Sequence, residues 1–126
     1  MKTQIRNLTI QDQPFVYWLV GGPRFTLNIS PKEDKTTKIT LIFEAAPPEE
    51  EHHTFWEFYD ISAYKDNYHI IIHLGNPRHI SEIILYLQQE KPELWLKGKH
   101  HTIENAWELL QAMGYSDMEP IWIKHW

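Results

Sequence analysis

The chain has no cysteine among its 126 residues, which excludes a disulfide framework, a thiolate metal centre and a cysteine nucleophile. It also has no long apolar run. No stretch approaches the roughly 18 to 20 apolar residues that cross a bilayer, and the opening Met1-Lys-Thr-Gln-Ile-Arg-Asn7 carries no apolar signal core. These absences predict a cytoplasmic protein. Catalytic signatures are missing as well. Ser30, Ser62, Ser81 and Ser116 stand outside any Gly-x-Ser-x-Gly elbow. Neither a His-Glu-x-x-His zinc motif nor a Gly-rich loop ending in Gly-Lys-Ser/Thr occurs. No repeat, low-complexity tract or dividing linker interrupts the chain, so residues 1–126 are expected to form a single α+β domain. No cofactor or metal is expected.

Positive charge is scarce. Twelve Lys and Arg face seventeen Asp and Glu, a formal charge of −5 with His neutral, and a surface of this sign disfavours a nucleic-acid partner because phosphates need cations opposite them. A basic protein partner fits better. Eight His would move the charge to +3 if all were protonated. Aromatic residues are abundant by contrast, at 13% with six Trp, six Tyr and five Phe, and that is enough to ask whether one core holds them all.

Hydrophobic patterning divides the chain into strands followed by alternating helix and strand. Residues 24–30 place Phe25, Leu27 and Ile29 on one face, and residues 38–44 do the same with Ile39, Leu41 and Phe43, a period of two that marks half-buried strands. Phe15–Val20 is apolar throughout; its aromatic and β-branched content favours a strand. Further strands are expected at 54–61 and 68–74. Between them and the first strands, Pro47, Pro48 and Glu49-Glu50-Glu51 describe an exposed loop that cannot join a ladder. Asn76-Pro77 opens a helix as cap and first residue, and Ile80, Ile83, Ile84 and Leu87 follow at helical spacing until Pro92. A short strand at 93–97 comes next, then a second helix capped by Thr102 and closed by Gly114, and a last strand at 121–125. The fold class is therefore α+β, with a mainly antiparallel sheet of about six to seven strands and two helices, near 77–91 and 103–113, packed on one face. The order is roughly β-β-β-β-β-α-β-α-β.

Among candidate sites, His52-His53 and His100-His101 are adjacent pairs that point to opposite sides of extended backbone. His69 and His73 lie about 13 Å apart by strand rise, so no local spacing chelates a metal. Glu104 and Glu108 share a helix face as solvated acids do. Lys97-Gly98-Lys99 leading to Thr102 resembles an anion contact at a helix N-terminus, where free amides and the dipole favour negative charge. That segment supplies one functional reading, the binding or processing of a phosphorylated small molecule. Two helices cover one sheet face only, so the surplus aromatics supply the other. Trp56, Phe58, Trp122 and Trp126, with Glu49, Glu50 and Glu51 nearby in sequence, describe a partner-binding surface of aromatic anchors and steering charge. This second reading, an inhibitor or immunity-type module that blocks a basic toxin or nuclease, is preferred here, and a homodimer through the same surface is its competitor.

Overall fold

A two-residue turn fixes the first hairpin. In the computed structural model, which describes residues 5–21, 24–45 and 54–124, Gln11 and Asp12 both adopt left-handed φ, 50° and 67°. They join β1 (Arg6–Ile10) to β2 (Gln13–Val20) with Ile10 opposite Gln13. Such turns match the right-handed twist of the strands they connect. β3 (Arg24–Pro31) pairs antiparallel with β2, and β4 (Lys38–Glu44) with β3. Asp66 and Asn67, at φ 53° and 68°, make the same kind of turn between β5 (Thr54–Lys65) and β6 (Tyr68–His73).

Helix α1 (Pro77–Glu90) starts where its sequence says it should. The Asn76 side chain accepts the N–H of Arg78 and Pro77 stands at the first turn, so one otherwise unpaired amide is satisfied and one is absent. Ile80, Ile83, Ile84 and Leu87 are all buried. Beyond it, the strand expected at 93–97 is instead a 3-10 turn, Pro92–Trp95, closed by Leu94 N–H to the carbonyl of Lys91 at 3.1 Å. The short strand lies later, at β7 (His100–Ile103). It runs parallel to β4, with Lys38 opposite His100 and Leu41 opposite Ile103. The free edge of β4 offers these residues a ladder, and ladder bonds displace the helix start expected at Thr102. Helix α2 (Ala106–Ala112) begins after Asn105 instead. Gly114, at φ 104°, ends it as the left-handed position requires. β8 (Ser116–Lys124) returns antiparallel to β5.

Among the described residues eight strands form two sheets, with β1-β2-β3-β4-β7 in one and β6-β5-β8 in the other. The pairing is antiparallel except between β4 and β7, which is the α+β class the patterning implies, with the sheet split in two. One face of the larger sheet is packed: Phe15, Tyr17, Phe25, Leu27, Ile29, Ile39, Leu41 and Phe43 join Ile61, Ala63 and Ile72 of the smaller sheet and the buried stripes of both helices in a single core. Phe25 stacks on Phe43 with ring centres 5.1 Å apart, and Phe43 meets the edge of Trp107 at 5.4 Å. Trp107 Nε1 donates to the Glu44 carbonyl at 3.1 Å, so α2 is pinned to β4 by an apolar and a polar contact of one side chain.

Candidate functional site

The register of the larger sheet defines its second face. Residues paired directly across antiparallel strands share a face. Val16 opposite Ser30, Trp18 opposite Asn28, Val20 opposite Thr26, Asn28 opposite Thr40 and Thr26 opposite Ile42 therefore lie on the side away from the core. Val16 and Ile42 are buried yet stand outside the core cluster, Trp18 is half-buried, and Val20 is 44% exposed. Threonine and asparagine at its centre are held in a chain: Thr40 Oγ1 donates to Asn28 Oδ1 at 2.9 Å, and Asn28 Nδ2 donates to Thr26 Oγ1 at 3.2 Å. Both helices bury their stripes in the core on the other side. Asn28 and Ser30 are buried on this side as Val16 and Ile42 are, so what the outer face presents to solvent is Val20 with the half-buried Trp18, Thr26 and Thr40.

Of the residues expected to form the partner surface, Glu49, Glu50, Glu51 and Trp126 lie outside the described residues. Trp56 and Phe58 sit on β5, and the register sets Trp56 directly opposite Trp122 of β8. Trp122 is half-buried and packs against the core, so it has a structural duty apart from any contact with a partner. Sequence reasoning misses Trp18 and Val20, because the run Phe15–Val20 is apolar on both sides and shows no alternation to separate inside from outside.

The Lys97–Thr102 segment is arranged differently from the expected anion site. Thr102 is not a helix cap: it lies within β7, exposed and opposite Thr40. Helix α2 has no side-chain cap bond at Asn105. Gly98 takes φ 79° in the preceding turn, and its N–H donates to Thr37 Oγ1 at 2.8 Å, while the Lys99 N–H donates to the Leu96 carbonyl at 3.2 Å. The amides that would cradle a phosphate are used inside the protein. Lys97 and Lys99 remain exposed. Beside them a cleft of about 350 Å³ is lined by Trp95, Thr37, Asp34 and Glu33 among others. Hydrogen bonds from the Thr36 and Thr37 side chains hold the Asp34 carboxyl below its ordinary value, so it is committed to its own turn.

A second cleft, of about 520 Å³, opens where β6 meets α1 and is lined by Arg6, Asp60, His73, Gly75, Asn76 and Pro77. Asp60 Oδ1 lies 2.9 Å from His73 Nδ1, and Arg6 donates to the Gly75 carbonyl at 3.0 Å. Ser62 Oγ and His69 Nε2 are 2.7 Å apart on the same strand pair. Burial pushes the imidazole of His79 below its ordinary pKa. Among the described residues no group of three or more His, Asp or Glu is placed to hold a metal ion, and no described helix is long and apolar enough to cross a membrane. Comparison with family models, with curated proteins and with solved structures finds no significant match to the chain.

Proposed function

We propose that the chain is a cytoplasmic protein-binding module of the inhibitor or immunity type, which holds a basic partner such as a toxin or nuclease against the outer face of its five-stranded sheet. One observation carries this reading: the register sets half-buried Trp18 and exposed Val20 on a face away from both helices, beside an ordered Thr26-Asn28-Thr40 chain. A half-buried Trp with aliphatic neighbours is the usual anchor of an interface, and side chains fixed before binding lose little entropy on contact. The formal charge of −5, with Glu49, Glu50 and Glu51 in one acidic run, supports a partner of opposite sign, whose approach it accelerates.

Capture from the native host is the test. The immobilised chain is expected to retain a basic protein in near-stoichiometric amount, to lose it on Trp18→Ala or Val20→Asp, and to hold it less well when Glu49, Glu50 and Glu51 are changed to Lys. A chain that retains nothing specific, or a partner indifferent to all of these changes, overturns the reading.

A further inference from the structure

Strand β6 is one edge of the smaller sheet, and two observations fix which of its residues point outward. The two-residue turn Asp66-Asn67 makes Lys65 and Tyr68 the closing pair, which in such a hairpin exchanges hydrogen bonds; Tyr68, Ile70 and Ile72 therefore spend their N–H and C=O groups on β5. Independently, His73 turns its N–H away from β5 and donates it to His79 Nδ1 at 2.9 Å. Both place His69, Ile71 and His73 on the outward side. His73 is committed, through His79 and through its carbonyl, which accepts the Asn76 N–H at 2.9 Å. Among the described residues the backbone groups of His69 and Ile71 have no such partner.

The other edges carry the features that discourage strand addition. β8 has Asp117, Glu119, Pro120 and Lys124, β7 has four residues, and β1 has five, including Arg6, and contacts α1. β6, Tyr-His-Ile-Ile-Ile-His, has no Lys, Asp, Glu or Pro. An uncharged edge without proline is the kind that pairs with another strand.

We propose that β6 pairs antiparallel with β6 of a second copy about a two-fold axis through Ile70. In this register His69 stands opposite the partner's Ile71 and Ile71 opposite the partner's His69, so each free donor meets a free acceptor and the capped His73 N–H is left out of the ladder. Any register that uses His73 forfeits a rung, which is why a self-complementary strand with two free rungs selects this one. Ile70, partly buried against the core, then faces the partner's Ile70 across a non-hydrogen-bonded pair, where side chains stand closest. The result is a continuous six-stranded sheet, β8-β5-β6 joined to its copy. One edge of six residues buries less than the roughly 1,200 Å² of the smallest stable complexes, so the dimer is one of high protein concentration. It goes beyond the partner-binding reading and uses the other sheet.

Cross-linking tests the register directly, because the chain has no cysteine of its own. Under mild oxidation Ile70→Cys is expected to give a disulfide dimer, since Cα atoms about 4.5 Å apart in such a pair suit the bond. Tyr68→Cys, 74% exposed but set opposite the partner's Ile72, is expected to give none. Sedimentation equilibrium of the unmodified chain is expected to show mass rising above 15.1 kDa with concentration, and Ile71→Lys, with thermal unfolding like that of the parent, to remain monomeric. A mass of 15.1 kDa at every concentration overturns the proposal. So do equal cross-linking of the two cysteine variants and a dimer that survives Ile71→Lys.

Discussion

The Nδ1 atom of His79 accepts the backbone N–H of His73 at 2.9 Å, joining the last residue of β6 to the first turn of α1. An acceptor bond at Nδ1 exists only while that nitrogen is unprotonated, and burial already holds the ring's pKa below the ordinary imidazole value. The unfolded chain takes up this proton near pH 6.5, whereas the folded chain resists it. Stability contributed here is therefore complete above that pH and declines as pH falls, until the folded ring itself titrates. Thermal unfolding midpoints measured from neutral pH down through this window are expected to fall less steeply in His79→Asn, which keeps an acceptor and removes the titration. An unchanged slope would rule out His79 as the source.

Tyr115 titrates at the opposite end of the scale. Burial, and then the bond its hydroxyl donates to Glu82 Oε2 at 2.8 Å, push its pKa from 10.0 to about 12. The folded state keeps this proton longer than the unfolded state does, so stability is present below pH 10 and lost between 10 and about 12. Tyr115→Phe is expected to cost about 1 kcal/mol near neutral pH and to lessen that alkaline loss. Denaturant titrations at neutral and alkaline pH check both parts.

The two faces of the larger sheet make unequal demands on their aromatic residues. Phe43 is fully buried between Phe25 and Trp107, and Phe43→Ala is expected to cost about 3–5 kcal/mol through the cavity it leaves. Trp18→Ala, on the outer face, is expected to cost about 1 kcal/mol or less while abolishing partner retention. Urea unfolding of the two variants decides the matter, since a Trp18 loss as large as that of Phe43 would make Trp18 a core residue.

Phosphate is the probe for the turn at Gly98. With the N–H groups of Gly98 and Lys99 already bonded to Thr37 and Leu96, inorganic phosphate and nucleotides are expected to leave the unfolding midpoint unchanged. Stabilisation that disappears in Lys97→Ala and Lys99→Ala would instead restore a phosphorylated ligand to this segment.

Local rules suffice for α1. Asn76, Pro77, the Ile80-Ile83-Ile84-Leu87 stripe and Pro92 each act within a turn or two, and the helix runs as they dictate. The same holds for the inward residues of β3 and β4, Phe25, Leu27, Ile29, Ile39, Leu41 and Phe43, which the alternation picks out, although Asn28, Ser30 and Ile42 of the opposite face are buried too. β7 is illegible for a physical reason: His100-His-Thr-Ile103 has no period of its own and becomes a strand only because the distant edge of β4 accepts it. Thr102 then looks like a cap while serving as a rung. The outer face around Trp18 is hidden for another reason, since a strand apolar on both sides, as Phe15–Val20 is, gives period two no contrast to work on.

The β4–β7 pairing also sets the order in which the protein can be completed. A nascent chain that has emerged only as far as Glu90 already holds four strands of the larger sheet and two of the smaller, but β7 and β8, which close β4 and the second side of β5, are still to be made. Two strand edges stand open at that moment, and the contacts that seal them join residues about 50 to 70 positions apart, which slows folding. Synthesis of the last quarter of the chain is thus the interval in which this fold is most exposed to mispairing.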